Sequence, residues 1–346
     1  MPTIHVKTTK FYPVIIEAGA LGRIAEFLLP LHPPCRVVLL SDDTVFPLYG
    51  TVLAAALEKA GYRPFCLMLP AGEAGKNWTV LGGLLEQLAE AGITRGDLLL
   101  VLGGGSACDV GGLAAALYHR GMDVVYFATT LLAGVDAAIG GKTAVDLPAG
   151  KNLAGVIRQP NAVIIDPNCL GTLSRAALAD GMAEAIKTGV LAGGELWSLV
   201  SAAQPDYPAI LTGCAAYKAQ VVAQEENDAG GRLFLNLGHT IGHAVERHSH
   251  YALSHGQAVA IGLAAMARAG AAQGWCTAAG PIEAALQQCG LPLHYCCRPE
   301  DLLPYLWSDK KRLGEELTAV LPYAIGDCRL QKMTKPELLQ LLQAGL

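Results

Sequence analysis

Three histidines in the second half of the chain have the spacing of a metal site. His239 and His243 are four residues apart, which places both imidazoles on one face of a helix. His255 follows twelve residues later and begins the next stretch with helical periodicity. A catalytic zinc ion usually has three protein ligands and one open position. The spacing therefore indicates a divalent-metal site, with a structural role for each histidine as the alternative.

Charged residues on a second predicted helix point to the same chemistry. Glu184 and Lys187 are three residues apart and share a face of a helix predicted over 176–191. Their neighbours are apolar, and a buried carboxylate needs a partner, which a metal ion would supply. A surface ion pair is the alternative. Lys218, Arg232 and Asn236 form a further polar set.

Glycine turns in the first half favour phosphate binding. The turn Gly103–Ser106 directly follows a predicted strand and precedes a helix that starts near Ala107, so backbone N–H groups can face a phosphate. The spacing GxGxxG is absent, and an ordinary tight turn is the alternative. Gly141-Lys142 and Lys151-Asn152 add cationic and amide donors, which favours a phosphate-binding pocket.

The elements that must position these residues follow from periodicity. Strands are predicted at Arg36–Ser41, Tyr62–Leu69, Asp97–Leu102, Asp123–Ala128 and Ala162–Asp166, with helices between them at Thr44–Gly61 and Trp78–Gly92. Such alternation predicts a doubly wound parallel sheet. Helical spacing then dominates at Ala176–Leu191, Pro208–Glu226, Asn236–His248, Gly256–Gly274 and Pro281–Cys289. We therefore expect an α/β domain with a parallel Rossmann-like sheet at residues 1–170 and an all-α domain at 171–346.

Composition limits the class of protein. The 346 residues are 52% hydrophobic and 16% charged, with a net charge of -5, which excludes disorder. The sequence has no Lys/Arg-rich run of the kind that binds nucleic acid. No apolar run is long enough for a membrane span. The N-terminal residues lack the pattern of a signal peptide. Ten cysteines without a CxxC pair favour free thiols in a reducing cytoplasm.

Ordered motifs give the chain a resemblance to the 3-dehydroquinate synthase family of sugar-phosphate cyclases. They are TTLLAGVDAAIGGKTAVD, GKNLAG, LADGMAEAIKTG, RLFLNLGHTIGHAVE, HGQAVAIG and SDKKRLGEELTAVLP. The resemblance implies a lyase that converts 3-deoxy-D-arabino-heptulosonate 7-phosphate to 3-dehydroquinate and phosphate, in the shikimate pathway of aromatic amino-acid biosynthesis. It also implies a catalytic NAD with an internal redox cycle and a divalent zinc or cobalt ion.

The resemblance assigns roles to individual residues. Glu184, His239 and His255 match the metal ligands, whereas His243 matches a residue beside the substrate phosphate that helps proton transfer. Positions that match the NAD site are Asp42, Glu73, Lys76, Gly104, Gly105, Ser106, Asp109, Thr129, Thr130, Lys142, Lys151, Cys169, Leu170 and Thr172. Positions that match substrate contacts are Asp136, Lys142, Asn152, Lys187, Lys218, Arg232, Asn236 and Lys311. Of these, Lys142, Asn152, Asn236 and Lys311 correspond to the phosphate side, and Lys218 and Arg232 to the carboxylate side. Arg120 matches an arginine that reaches the neighbouring subunit's phosphate, which implies a homodimer.

Three other functions compete with this interpretation. 2-Deoxy-scyllo-inosose synthase would act on glucose 6-phosphate, which has no carboxylate for Lys218 and Arg232 to neutralise. A metal-dependent polyol dehydrogenase shares the GGGSxxD form, seen here with Cys108 before Asp109, but would not need Lys218. A non-catalytic binding protein predicts the loss of a metal ligand, and all three are present. These comparisons favour the dehydroquinate reaction.

Overall fold

The computed structural model describes residues 2–227, 230–307, 312–313 and 316–346. The chain divides into two compact units. Unit 1 runs to Leu173 and also contains Lys218–Glu226, whereas unit 2 comprises Ser174–Tyr217 and the chain from Asn227 onward. The segment Lys218–Glu226 therefore lies with unit 1, although all residues after 170 were predicted to belong to the second domain. The role of each domain stays a prediction.

Strands and helices follow one another along the chain with short connections. The strands are β1 (Thr3–Lys7), β2 (Phe11–Ile16), β3 (Arg36–Asp42), β4 (Arg63–Leu69), β5 (Leu98–Gly103), β6 (Asp123–Ala128), β7 (Lys142–Leu147), β8 (Gly150–Ile157), β9 (Ala162–Ile165), β10 (Arg312–Leu313), β11 (Glu316–Ala324) and β12 (Asp327–Thr334). The helices are α1 (Ile24–Leu28), α2 (Thr51–Lys59), α3 (Trp78–Glu90), α4 (Gly105–Leu117), α5 (Arg175–Ala192), α6 (Gly194–Val200), α7 (Tyr207–Gln224), α8 (His239–His248), α9 (His255–Ala272), α10 (Ala279–Gln288), α11 (Pro299–Trp307) and α12 (Lys335–Gly345). Among the helical residues that the structure describes, no stretch is both long and apolar enough for a membrane span.

The core of unit 1 is a mainly parallel sheet, as predicted. Its order is β1-β2-β9-β6-β5-β3-β4, with β1 antiparallel to β2 and the other neighbours parallel. Every residue of β5 is buried, because helices and loops cover both faces of a parallel sheet. Strand β3 pairs with β4 on one side and β5 on the other. The carboxyl ends of β3 and β5 therefore form a topological switch point, where ligands of such sheets bind.

Two strand pairs in unit 1 were not predicted. Strands β1 and β2 extend the sheet at one edge, and β7 and β8 form a separate antiparallel hairpin. Strand β8 is largely exposed and contains glycine and asparagine, residues that are depleted in strands. It therefore carries little of the periodic signal that identifies the buried strands.

The predicted helical character of the second half is confirmed. Helices α8 and α9 pack against α11, α12 and β11 around a core that includes Ile241, Ala265, Leu306 and Leu341. Unit 2 also contains an antiparallel sheet, β10-β11-β12, which corrects the prediction of a purely helical domain. Its central strand contains the apolar run Ala319–Pro322, but a single short run does not identify a strand by itself.

Candidate metal and nucleotide sites

Helices α8 and α9 each begin at a predicted metal ligand. A capping box between Ser254 and Gln257 starts α9, so His255 is the first residue of that helix. Gly238 precedes α8 with a φ of 76°, and His239 is the first residue of α8. A left-handed backbone there favours glycine. Local sequence thus fixes where both imidazoles enter the site.

Close packing holds these helices together. A Cβ atom at Gly262 of α9 would lie 2.0 Å from the carbonyl oxygen of Gly238, so α8 and α9 can approach only because residue 262 has no side chain. The Ser254 hydroxyl donates a 2.5 Å hydrogen bond to Asp180 of α5. The start of α9 is thereby attached to the helix that carries Glu184.

The three predicted metal ligands lie together in unit 2. Glu184 Oε1 is 3.3 Å from His239 Nε2 and 3.1 Å from His255 Nε2. One ligand atom from each residue lies within 4.8 Å of the others. Tetrahedral zinc with bonds of 2.0–2.1 Å separates its ligand atoms by about 3.3 Å. The residues present therefore fit a divalent metal ion in both type and spacing.

Glu184 also forms an ion pair with Lys187. Lys187 Nζ lies 2.5 Å from Glu184 Oε2, and both side chains are almost completely buried. Burial opposes ionisation of Glu184, but the charge of Lys187 and the contacts with His239 hold the pKa of this carboxyl well below its usual range. The site therefore contains a carboxylate with one oxygen towards the imidazoles and one towards an ammonium group.

Further groups orient the two imidazoles. His239 Nδ1 lies 3.1 Å from the carbonyl oxygen of Leu237, so the Nδ1–H donates and leaves Nε2 as the ligand atom. His255 Nδ1 lies 3.4 Å from Glu246 Oε2. Burial lowers the pKa of His255, but hydrogen bonds to Glu184 and Glu246 outweigh it and raise the pKa to about 10. Glu246 was not predicted, although it lies three residues after His243, on the same face of α8.

His243 lies beside the first set of ligands. Its ring centroid is 5.2 Å from that of His239 and 6.1 Å from that of His255. His243, Glu246 and His255 also have ligand atoms within 4.8 Å of one another. The two sets share His255, and the set with Glu184 is the more deeply buried.

The other predicted residues of unit 2 lie on or next to a short helical segment, Gly230–Asn236. The Arg232 side chain is almost completely buried, at 1% exposure. Asn236 donates a hydrogen bond of 3.2 Å to the carbonyl oxygen of Leu233. Lys311 lies outside the described residues.

The predicted glycine turn of unit 1 follows β5 at the switch point. Ser41 of β3 is paired with Leu102 of β5, so the next residues, Asp42 and Gly103, end neighbouring strands. Asp42 Oδ1 accepts hydrogen bonds from the backbone N–H groups of Thr44 and Val45. A narrow crevice lies here, lined by residues that include Asp42, Gly72, Gly75 and Ser106.

The residues around this turn are closely packed and offer donors for a nucleotide. A Cβ atom at Gly104 would lie 3.0 Å from Thr130 Cγ2, and one at Gly105 would lie 3.0 Å from Ala137 Cβ. The Thr129 hydroxyl is buried and has no hydrogen-bond partner among the described residues. Helix α4 begins at Gly105, so its N-terminal N–H groups face the same region. These features fit the diphosphate of a dinucleotide.

Charged residues predicted to hold NAD form a cluster in unit 1. Lys76 Nζ lies 2.5 Å from Asp109 Oδ2, and the Ser106 hydroxyl donates to Glu73 Oε1 at 3.3 Å. Burial lowers the pKa of Lys76, but the charges of Asp109 and Glu73 outweigh it and raise the pKa above its usual value. The cluster therefore keeps a buried ammonium group beside two carboxyl groups.

Two more predicted sets also lie in unit 1. Lys218 Nζ lies 2.6 Å from Asp136 Oδ1, although these residues are 82 positions apart in the sequence. The β7–β8 hairpin carries Lys142, Lys151 and Asn152. Lys218 was predicted from its polarity, but only the fold shows that it pairs with Asp136.

A short helix at Pro167–Thr172 carries the last predicted NAD contacts. Cys169 and Leu170 are buried. The Tyr49 hydroxyl lies 3.0 Å from the carbonyl oxygen of Cys169 and 2.6 Å from the Thr172 hydroxyl. Tyr49 thus holds this segment through one backbone carbonyl and one side-chain hydroxyl. Burial raises the pKa of the Cys169 thiol to about 12, so the thiol is protonated at neutral pH.

Arg120 lies on an exposed turn of unit 1. His119 and Arg120 have positive φ angles of 49° and 63°, which are uncommon for residues other than glycine. Such strain occurs where surrounding structure or function requires it. The turn therefore presents an arginine at the surface in a fixed backbone conformation.

Known proteins resemble this chain along nearly its whole length. The model described as 3-dehydroquinate synthase N-terminal matches residues 66–180, and the model described as 3-dehydroquinate synthase C-terminal matches residues 181–312. A 3-dehydroquinate synthase from Leuconostoc citreum (strain KM20) is 40% identical over 92% of this chain and 91% of its own length.

Solved structures show the same fold. A 2-epi-5-epi-valiolone synthase from Streptomyces hygroscopicus subsp. jinggangensis 5008, solved with NAD⁺ and Zn²⁺ bound, is 27% identical over 96% of both chains, with a TM-score of 0.88. A 2-deoxy-scyllo-inosose synthase complexed with carbaglucose-6-phosphate, NAD⁺ and Co²⁺ covers 100% of both chains at 22% identity, with a TM-score of 0.89.

Proposed function

The chain belongs to the 3-dehydroquinate synthase family, and we propose that it converts 3-deoxy-D-arabino-heptulosonate 7-phosphate to 3-dehydroquinate and inorganic phosphate. The observation that carries the proposal is the spacing of Glu184, His239 and His255, which fits a divalent ion in a chain of this family. The predicted nucleotide-binding residues of unit 1 support NAD as the second cofactor.

We assign zinc or cobalt to Glu184, His239 and His255. A divalent ion bound here would displace the proton of His255, and two neutral imidazoles with one carboxylate would leave the ion with net positive charge. When bound, the ion supplies positive charge beside a substrate hydroxyl, and NAD supplies a hydride acceptor that is later a donor. The hydrogen bond from His239 to Leu237 keeps Nε2 directed at the site, and the contact between His255 and Glu246 does the same for the second imidazole.

The NAD residues assigned in unit 1 provide hydrogen bonds of three kinds. Backbone N–H groups of Gly104 and Gly105 bind the diphosphate at the start of α4. The Thr129 hydroxyl, which has no other partner in the described part of the chain, binds a polar group of the dinucleotide. Lys76 and Glu73 supply an ammonium group and a carboxylate, which suit a phosphate and a ribose hydroxyl respectively.

The substrate has a phosphate at one end and a carboxylate at the other, and the chain offers cations for both. On the family resemblance, we assign Lys142, Asn152 and Asn236 to the phosphate and Arg232 and Lys218 to the carboxylate. Arginine suits a carboxylate because its planar guanidinium can donate two parallel hydrogen bonds. His243 accepts or donates the proton that moves when phosphate leaves, and its place beside His239 and His255 puts that imidazole next to the metal ligands.

We further propose that the enzyme is a cytoplasmic homodimer. All ten cysteines are free, which suits a reducing compartment. The exposed, strained turn at Arg120 suits an arginine that contacts the substrate phosphate of a second subunit.

Phosphate release tests the proposed function. The purified protein is incubated with 3-deoxy-D-arabino-heptulosonate 7-phosphate, Zn²⁺ or Co²⁺, and NAD at a concentration well below that of the substrate. We expect many molecules of phosphate per NAD and no accumulation of NADH, because the hydride returns to the product. Glucose 6-phosphate under the same conditions is the control for a sister cyclase. The proposed substrate would be wrong if the protein released phosphate from glucose 6-phosphate but not from 3-deoxy-D-arabino-heptulosonate 7-phosphate. It would also be wrong if one NADH formed for each substrate molecule converted.

A further inference from the structure

Asp146 lies where the β7–β8 hairpin is irregular. The register shifts between Val145 and Leu147, and Asp146 forms a bridge with Asn77 outside the hairpin. Its backbone N–H donates a 2.9 Å hydrogen bond to the carbonyl oxygen of Lys76. An irregularity of this kind redirects a side chain and interrupts the normal pairing. The backbone of Asp146 therefore attaches the hairpin to the segment that contains Lys76.

The Asp146 side chain holds the other strand of the hairpin, near the turn. Its Oδ1 accepts a 2.7 Å hydrogen bond from the backbone N–H of Asn152. Asn152 has a φ of 55°, in the left-handed region that asparagine tolerates better than most residues but that still costs free energy. The carboxyl group of Asp146 compensates for this backbone conformation. It thereby determines where the Asn152 side chain is presented.

Asp146 also faces Glu73, which is predicted to contact NAD. The two carboxyl groups are hydrogen-bonded, with Lys76 and Lys151 as the nearby cations. Burial and the contact with Glu73 raise the pKa of Asp146 to about 6. The charges of Lys76 and Lys151, with the hydrogen bond from Asp146, outweigh the burial of Glu73 and lower its pKa. Below about pH 6 Asp146 is therefore the protonated partner and donates to the Glu73 carboxylate, whereas at neutral pH both groups are mainly ionised beside the nearby lysines.

We propose that Asp146 is a positioning residue that joins the predicted phosphate-side residue Asn152 to the predicted NAD-side segment Glu73–Lys76. The inference rests on the proposed function for the identity of the two ligands. In this role Asp146 binds neither the substrate nor NAD. It fixes the position of Asn152 relative to the segment Glu73–Lys76. Because Oδ1 accepts from Asn152 whether or not the carboxyl is protonated, the positioning does not depend on pH.

Two substitutions separate this role from a general effect on stability. Asp146→Ala removes the acceptor, whereas Asp146→Asn keeps an oxygen that can accept from Asn152. We expect Asp146→Ala to raise the KM for the sugar-acid phosphate about tenfold, the cost of one hydrogen bond in a binding equilibrium. It should also weaken NAD binding severalfold, measured by titration without substrate. Asp146→Asn should remain within about twofold of the wild type in both measurements.

A matched control addresses folding. Asp97 is another aspartate of unit 1 whose carboxylate accepts a backbone N–H, here from Thr94 at 2.7 Å, and it has no predicted ligand contact. Asp97→Ala should lower the melting temperature without the changes in KM and NAD affinity. The inference is overturned if Asp146→Asn loses as much as Asp146→Ala, or if Asp146→Ala lowers only the melting temperature. The NAD titration separates this inference from the proposed function, because NAD affinity can depend on Asp146 even in a protein that does not release phosphate.

Discussion

Lys187 and Glu184 form an ion pair in which neither side chain is exposed by more than 1%. The pair lies on one face of α5, three residues apart, and its carboxylate also faces both imidazoles. Two charges removed from water need each other, since a single buried charge is costly. Both the stability of unit 2 and the affinity of the proposed metal site therefore depend on Glu184.

Glu184→Gln should lower both the stability of unit 2 and the affinity of the proposed metal site. Loss of one member of a buried ion pair costs about 3–5 kcal/mol in the free energy of unfolding, because the remaining charge lacks a partner. Metal affinity, measured by competition with a chelator, should fall at least about 100-fold, more than the loss of an outer contact causes. Glu195→Gln, on the exposed face of α6, is the control and should change neither value. A Glu184→Gln protein that retains its metal would contradict the assignment.

Gly262→Ala should separate α8 from α9. The added methyl group would lie 2.0 Å from the carbonyl oxygen of Gly238 and 2.7 Å from the backbone nitrogen of Gly242, so the helices must move apart. His239 and His255 move with them, and we expect both metal affinity and unfolding free energy to decrease. Gly82→Ala in α3 is the control: no atom lies within 4 Å of the added methyl, and the protein should gain up to about 1 kcal/mol. Equal effects of the two substitutions would refute the packing argument.

Arg232→Ala should raise the KM for substrate and leave NAD binding unchanged. A hydrogen bond to a charged group contributes about 1.5–3 kcal/mol, which corresponds to roughly a 10- to 100-fold weaker interaction with the substrate carboxylate. The comparison uses steady-state kinetics for substrate and direct titration for NAD. Arg95→Ala, at an exposed position of unit 1, controls for loss of one positive charge. Parallel losses for both ligands would argue against a role in binding the carboxylate.

Mixed dimers test whether Arg120 acts on a neighbouring subunit. Arg120→Ala and Asp136→Ala chains should each be inactive as homodimers, because each lacks one predicted substrate contact at every site. A heterodimer of the two should regain activity, since one of its two sites would contain both wild-type residues. Affinity tags on the two chains allow verified heterodimers to be purified. Absence of activity in those heterodimers would show that the site is not shared.

Asp97 should make stability depend on pH. Its carboxylate accepts hydrogen bonds from Arg36 and Thr94. Burial raises the pKa of Asp97, but these bonds outweigh it and lower the pKa below its usual value. A lowered pKa adds stability above the unfolded-state pKa, and that stability is lost as the pH falls through the folded-state pKa. Asp97→Asn should therefore cost about 1–2 kcal/mol at pH 7 in urea unfolding and much less near pH 2. An equal cost at both pH values would contradict this account.

The sequence predicts individual elements well where their periodicity is strong. The strand at Asp123–Ala128 occurs within its predicted bounds, and α5 differs from its prediction by one residue at each end. Exposed strands have weaker patterns, so the β7–β8 hairpin was missed, and β11 was missed because one short apolar run does not identify a strand. The resemblance nevertheless assigns roles to residues on that hairpin, because it rests on residue identity and not on secondary structure.

Contacts between distant residues are the part that periodicity and spacing alone could not predict. The spacing of His239, His243 and His255 suggests a metal site, but which of them lie with Glu184 depends on how α5, α8 and α9 pack. Glu246 was missed because one carboxylate on a helix has many ordinary explanations. Asp146 was missed for a similar reason, since its contacts with Lys76 and Asn152 form only after the hairpin attaches to the rest of unit 1.

Unit 1 is not continuous in the sequence, and this affects how it can form during synthesis. Its last segment, Lys218–Glu226, contributes Lys218 to Asp136 and Glu226 to Thr9 and Gln159. These contacts cannot exist when residue 173 leaves the ribosome, because residues 218–226 have not yet emerged from it. We therefore compare two arrested nascent chains, one that has emerged from the ribosome only to about residue 173 and one that has emerged past Glu226. We expect proteases to degrade unit 1 faster in the shorter one. A fragment that ends at Leu173 should likewise be an incomplete unit, with the partners of Asp136, Thr9 and Gln159 missing.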